Sequence, residues 1–125
     1  MNDVGLLLCD DLIFTSRITG TAKALGLSLR AAKTVPELRI FLQQSPPRCV
    51  ILDLHAPGLV IDELAKELAA SMPKPFVVGY GSHVDTATLK KARDAGCDIV
   101  WPRSKFVDEL ATAMPEWFRP REALS

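Results

Sequence analysis

Three carboxylates stand where apolar runs end. Asp10 and Asp11 follow Gly5-Leu-Leu-Leu-Cys9, and Asp53 follows Cys49-Val-Ile-Leu52. If the two runs lie side by side, all three acids open into one small crevice. At neutral pH such charges repel one another and are costly to desolvate, so the cluster needs a cation or raised pKa values. Mg²⁺ suits it, since a hard octahedral ion takes one or two carboxylates and keeps several waters. The alternative is that Asp10 and Asp11 cap the helix that follows. One cap accounts for one Asp and leaves Asp53 unexplained.

Other reactive constellations fail on spacing. Cys9 opens no Cys-x₅-Arg phosphatase loop, because position 15 is Thr. Two His and three scattered Cys give no zinc-ligand spacing. Gly79-Tyr-Gly81 is too short for a phosphate loop, and no Gly-rich turn follows the first apolar run. Ser16, Ser45 and Ser71 lack a paired His and Asp pattern, and Lys90-Lys91 reads as a solvated helix face. No enzyme signature survives.

The elements that must position the acids alternate between strand and helix five times. Gly5–Cys9, Cys49–Leu52 and Phe76–Val78 are continuous apolar runs, as in strands covered by helices on both faces. Leu27–Ala31 alternates like an edge strand, and the short Asp98–Trp101 suits the other edge. Helical spacing joins Phe14, Ile18, Ala22 and Leu25, with Gly26 as the stop. Thr34-Val-Pro-Glu37 is a capping-box pattern ahead of Leu38, Phe41 and Leu42. Ile61, Leu64, Ala65, Leu68 and Met72 make a third stripe. Leu89 and Ala92 mark a weaker fourth between Asp85 and Gly96. Phe106, Val107, Leu110, Ala111 and Met114 make the fifth, with Ser104 as expected N-cap.

This pattern predicts an α/β fold, a doubly wound (βα)₅ open parallel sheet with the flavodoxin-like order 2-1-3-4-5. Residues 1–125 form one domain, with 115–125 extending the last helix or folding back over an edge as a tail. Ligands of such sheets bind beyond the carboxyl ends of the strands, between the first and third. Asp10, Asp11 and Asp53 fall there.

Charge narrows the partners. The 125 residues carry 15 Lys+Arg and 15 Asp+Glu, a formal net charge of zero. Met1–Asp62 holds six of each sign and the remainder nine of each, so neither half offers a basic footprint for nucleic acid. No apolar run approaches a membrane span, and Asn2-Asp3 stands where a signal peptide would be basic. Cys9, Cys49 and Cys97 lie in or beside apolar runs, which points to free thiols and a cytoplasmic location.

Taken together, Asp10-Asp11 after the Leu-rich first strand and Val50-Ile-Leu-Asp53-Leu-His-Ala-Pro-Gly58 after the third resemble a two-component response-regulator receiver domain, across nearly the whole chain. The resemblance implies that Asp53 accepts a phosphoryl group. It further implies that Asp11, Asp53 and the backbone carbonyl of His55 hold Mg²⁺, with Asp10 acting through water. The chemistry is coherent: a carboxylate attacks phosphorus while the metal offsets charge on the phosphoryl oxygens.

The departures lie in the readout half. Receivers end the fourth strand with Thr or Ser, where this chain has Gly81, with Tyr80 before it and Ser82 after. Ser82 takes that role if the loop shifts by one residue, and otherwise caps the next helix. Receivers also place a Lys-Pro pair after the fifth strand. In Trp101-Pro-Arg-Ser-Lys105 the Lys position falls on Arg103, a planar fork rather than a point charge. Lys105 is a second candidate, or a solvated Lys at a helix start. The aromatic switch position falls on Val100, with Trp101 beside it.

The expected function is a stand-alone receiver, a phosphorylatable switch and not an enzyme. A histidine kinase or small phospho-donor would charge Asp53, and output would pass through the face of the fourth helix, fifth strand and fifth helix. A homodimer is a further option. The alternative is a pseudo-receiver, an unphosphorylated interaction or dimerisation module, which Gly81 and Arg103 favour. A remote one is a cobalamin-binding-like domain, since Asp53-Leu-His55-Ala-Pro-Gly58 satisfies Asp-x-His-x-x-Gly. That motif follows the third strand here instead of the first, and its Ser-x-Leu and Gly-Gly partners are missing.

Overall fold

The apolar runs become strands of one parallel sheet. The computed structural model describes residues 3–120. β1 (Val4–Leu8), β3 (Cys49–Asp53) and β4 (Phe76–Gly81) fill the centre, and β2 (Ser28–Ala32) and β5 (Ile99–Pro102) form the edges. The order is β2-β1-β3-β4-β5, as the sequence predicts. Register aligns Leu8 with Leu52 and Asp53 with Tyr80, so the strand ends carrying chemistry are level.

Five helices connect the strands: α1 (Leu12–Ala24), α2 (Val35–Gln44), α3 (Ile61–Ala69), α4 (Thr86–Ala95) and α5 (Arg103–Trp117). Their starts follow local chemistry. Asp11 Oδ1 accepts from Phe14 N–H at 2.9 Å, and Thr34 Oγ1 from Glu37 N–H at 3.2 Å. Glu37 reaches back to accept from Lys33 N–H at 2.7 Å, closing a reciprocal box around the α2 start. Asp85 caps α4 through Thr88 N–H, and Gly96 ends it at φ 108°, a left-handed turn that suits glycine.

Alternation along the strands splits the core between the two faces of the sheet. Leu6, Leu8, Val50 and Leu52 pack against α2, α3 and α4. Leu7, Cys9, Ile51, Val78 and Tyr80 pack beneath α1 and α5. Phe106, Leu110, Met114 and Trp117 form the buried side of α5.

Several expected details differ. Met72 lies past the end of α3 and is exposed, because the helix stops at Ala69. Leu25 caps α1 and Ala111 faces solvent, so neither belongs to its expected stripe. Ser104 is not the α5 N-cap. β5 runs to Pro102 and the helix begins at Arg103 with no intervening loop, leaving Ser104 inside the first turn. Of the expected tail, residues 115–117 continue α5, and Phe118 buries against the α1 side. Residues 121–125 of that tail lie outside the described residues.

Candidate functional site at the carboxyl ends of the strands

Asp53 is the one buried charged residue among those described, 7% exposed at the end of β3. Its Oδ1 accepts from His55 N–H at 2.9 Å. No Lys, Arg or His nitrogen of the described residues lies within 4.0 Å of it. A buried carboxylate with one N–H and no counter-charge is costly, and a cation relieves that cost.

The other two acids are exposed. Asp11 serves α1 as its cap, so one Asp of the pair takes the structural role that sequence left open. Among the described residues no group of three or more His, Cys, Asp or Glu is close enough to hold a metal. The tight three-carboxylate cluster is therefore not formed. Mg²⁺ does not require it, since one or two carboxylates with carbonyl and water oxygens satisfy the ion. The hard oxygens of Asp53 and of the Asp10-Asp11 strand end fit that ion.

Across the crevice, β4 ends at Gly81. Ser82 does not cap α4, because Asp85 does. Ser82 Oγ instead accepts from Val84 N–H at 3.4 Å, within its own turn. Ser82 N–H donates to His55 Nε2 at 3.0 Å, and His55 Nδ1 lies 4.0 Å from Asp85 Oδ2. Hydrogen bonds from the Thr88 hydroxyl and N–H hold the Asp85 carboxyl below its usual range. The ring that a cobalamin ligand would present is thus engaged at Nε2.

Arg103 and Lys105 are both exposed and both lie over aromatic rings. The Arg103 guanidinium carbon is 5.7 Å from the Phe14 ring centroid, on the α1 side of the crevice. Lys105 Nζ sits 5.4 Å above Trp101, a cation–π contact on the β5–α5 face. Of the two, Arg103 is on the side Asp53 faces. Its charge and that of Asp53 both act on Tyr80.

Sequence reasoning missed how β4 is shaped. Gly79 and Gly81, two apart on one strand face, leave space for residues from the loop after β3. A Cβ at 79 would lie 3.0 Å from Leu54, and one at 81 would lie 3.0 Å from His55 Nε2. The alternating glycines of Gly79-Tyr-Gly81 were the signal. Between them Tyr80 points to the other face, packed against Phe14 and Phe106 at centroid distances of 5.1 and 4.5 Å. Its hydroxyl is buried without a partner. Burial foremost pushes the phenol's pKa up, and the neighbouring Cys9 thiol and Asp53 charge add to it.

With strand order, register and the Asp53 crevice in place, the class is defined: this is the receiver fold of response regulators. It is similar to the signal receiver domain of a response regulator from Bermanella marisrubri, at 21% identity and TM-score 0.81 over 95% of this chain and 100% of that one. A response regulator from Thermotoga maritima matches at 15% identity and TM-score 0.78, over 94% and 98%. NtrX from Brucella abortus matches at 21% identity and TM-score 0.77 over 94% of this chain, which spans 27% of NtrX. No family model and no curated protein matches the sequence. No helix among the described residues is long and apolar enough to cross a membrane.

Proposed function

We propose that this chain is a signalling receiver that takes a phosphoryl group on Asp53. The observation that carries the reading is a buried carboxylate at a level strand end, uncompensated by any cation of the described residues. His55 N–H holds Oδ1 and leaves Oδ2 as the oxygen without a hydrogen-bond partner among the described residues. Oδ2 is the nucleophile. With acetyl phosphate, it bonds to phosphorus as the phosphorus–oxygen bond to the acetyl group breaks. The products are an aspartyl phosphate and acetate, and no proton is needed. Asp11, Asp53 and the His55 carbonyl, with Asp10 nearby, would hold Mg²⁺, which when bound would supply positive charge against the phosphoryl oxygens. Arg103 swings from Phe14 to pair with the product.

A histidine kinase or small phospho-donor charges the site, and the α4–β5–α5 face carries output to a protein partner. The chain accepts and slowly loses the group instead of turning over a substrate. The free thiols of Cys9, Cys49 and Cys97 support a reducing, cytoplasmic setting. The test is incubation with Mg²⁺ and acetyl phosphate, followed by intact mass. A labile phosphoryl adduct that Asp53→Ala abolishes is the expected result. No adduct from several donors, with partner binding unchanged in Asp53→Ala, would refute it.

A second reading, an interaction module that is never phosphorylated, draws support from the His55 ring over Gly81. The same experiment separates the two.

A further inference from the structure

Two backbone N–H groups at the Asp53 crevice are already occupied by the chain itself. His55 N–H donates to Asp53 Oδ1 at 2.9 Å. Ser82 N–H, one residue beyond the end of β4, donates to His55 Nε2 at 3.0 Å. The imidazole thereby crosses from the loop after β3 to the loop after β4. It rests on Gly81, where a Cβ would come within 3.0 Å of Nε2 and 3.4 Å of Cδ2. An accepting Nε2 leaves the ring proton on Nδ1, toward Asp85 Oδ2 at 4.0 Å.

An oxyanion placed on Asp53 needs donors fixed at the site, and backbone N–H groups at strand ends are the cheapest to supply. Ser82 N–H is such a donor, just past the strand whose Tyr80 pairs with Asp53. Ser82 Oγ accepts from Val84 N–H at 3.4 Å, within its own turn. We propose that His55 is an internal stopper. Its Nε2 holds the Ser82 N–H that a phosphoryl oxygen on Asp53 would take, and the ring must leave Gly81 before the site is charged. The His55 side chain is 34% exposed, so it has an open path into solvent. This inference rests on Asp53 being the acceptor, and it concerns what limits the transfer.

Two substitutions lift the stopper by different means. His55→Ala removes the ring while keeping the residue's carbonyl and N–H. Gly81→Ala keeps the ring and pushes it off Ser82. Full-length protein of each kind is treated with Mg²⁺ and acetyl phosphate, and Asp53 adduct formation is timed by intact mass. The Ser82 amide resonance is recorded without donor. Releasing one ordinary hydrogen bond should speed adduct formation roughly three- to tenfold in both variants. The Ser82 amide should shift in both. A role in folding alone would not raise the rate.

If the parent is modified on Asp53 and both variants run at its rate or slower, the stopper is wrong and the acceptor reading stands. An unmoved Ser82 amide in both variants overturns the stopper as well. No adduct in parent or variants overturns the acceptor reading, and the stopper with it.

Discussion

Replacing Tyr80 with Phe should stabilise the protein by about 1 kcal/mol. The Tyr80 ring is fully buried between Phe14 and Phe106, and its hydroxyl, beside the weakly bonding Cys9 thiol, is the single buried side-chain nitrogen or oxygen among the described residues with no partner in hydrogen-bond geometry. In the unfolded chain that hydroxyl is satisfied by water, and burying it unpaired costs about 1–3 kcal/mol. Phe keeps the ring and its stacking contacts. The void left by one oxygen, on the order of 10–15 Å³, returns only about 0.3 kcal/mol of destabilisation. For 125 residues the net gain corresponds to a Tm rise of about 3–5 °C. Paired urea titrations should show a higher midpoint with unchanged slope. A lower midpoint in Tyr80→Phe would refute the reasoning, because it would mean the hydroxyl has a partner worth keeping.

The same residue gives a spectroscopic check, since Tyr80 is the only tyrosine in the chain. Its pKa is raised in the folded state, foremost by burial. Stability linked to it is therefore complete below the unfolded phenol's pKa of about 10 and falls as pH rises above that value. Phenolate absorbance should appear only together with unfolding. Its appearance in folded protein near pH 10 would contradict the burial.

Three further outcomes follow from packing, capping and burial. Gly5→Ala places a Cβ 2.7 Å from Phe118 Cζ and 2.8 Å from Cys49 Sγ, and should cost about 1–3 kcal/mol in a urea titration; parental stability would show that Phe118 moves aside. Thr34→Ala removes the acceptor for Glu37 N–H and should cost about 1 kcal/mol by the same measurement. The Cys97 thiol, pushed up to about 11 by burial and then by Asp98, should react slowly with a disulfide reagent at mildly alkaline pH. Its raised pKa also means stability is lost as pH climbs from the ordinary 9.0 through about 11. Labelling at the rate of a free thiol would contradict this.

The strands and their order were legible because burial on two faces leaves a compositional trace. Cys49–Leu52 is apolar throughout, whereas Leu27–Ala31 alternates, and that contrast alone puts β2 at an edge. Helix stripes were legible in their middles and less so at their ends, where Met72 and Leu25 are apolar yet exposed. The site was legible as residue types at strand ends, which topology places together. What each side chain bonds to was not. Asp11 and Ser82 each have an acceptor oxygen and more than one nearby N–H to receive from, and only backbone geometry decides between them. Asp11 takes Phe14 N–H, and Ser82 takes Val84 N–H in place of the helix. Likewise, nothing in the letters Asp-Leu-His says that the imidazole spans to the next loop.

The pair of glycines on β4 ties distant positions into one unit of inheritance. Leu54 and His55 fill the room that Gly79 and Gly81 leave empty, so a change at either glycine is felt by its partner. A side chain gained at 81 demands a smaller or rotated residue at 55, and changes at such contacting sites do not add. Variants of this protein that carry a hydroxyl-bearing residue at 81 are therefore expected to have lost the histidine. Reading position 81 without position 55 would mistake a compensated exchange for the loss of a function.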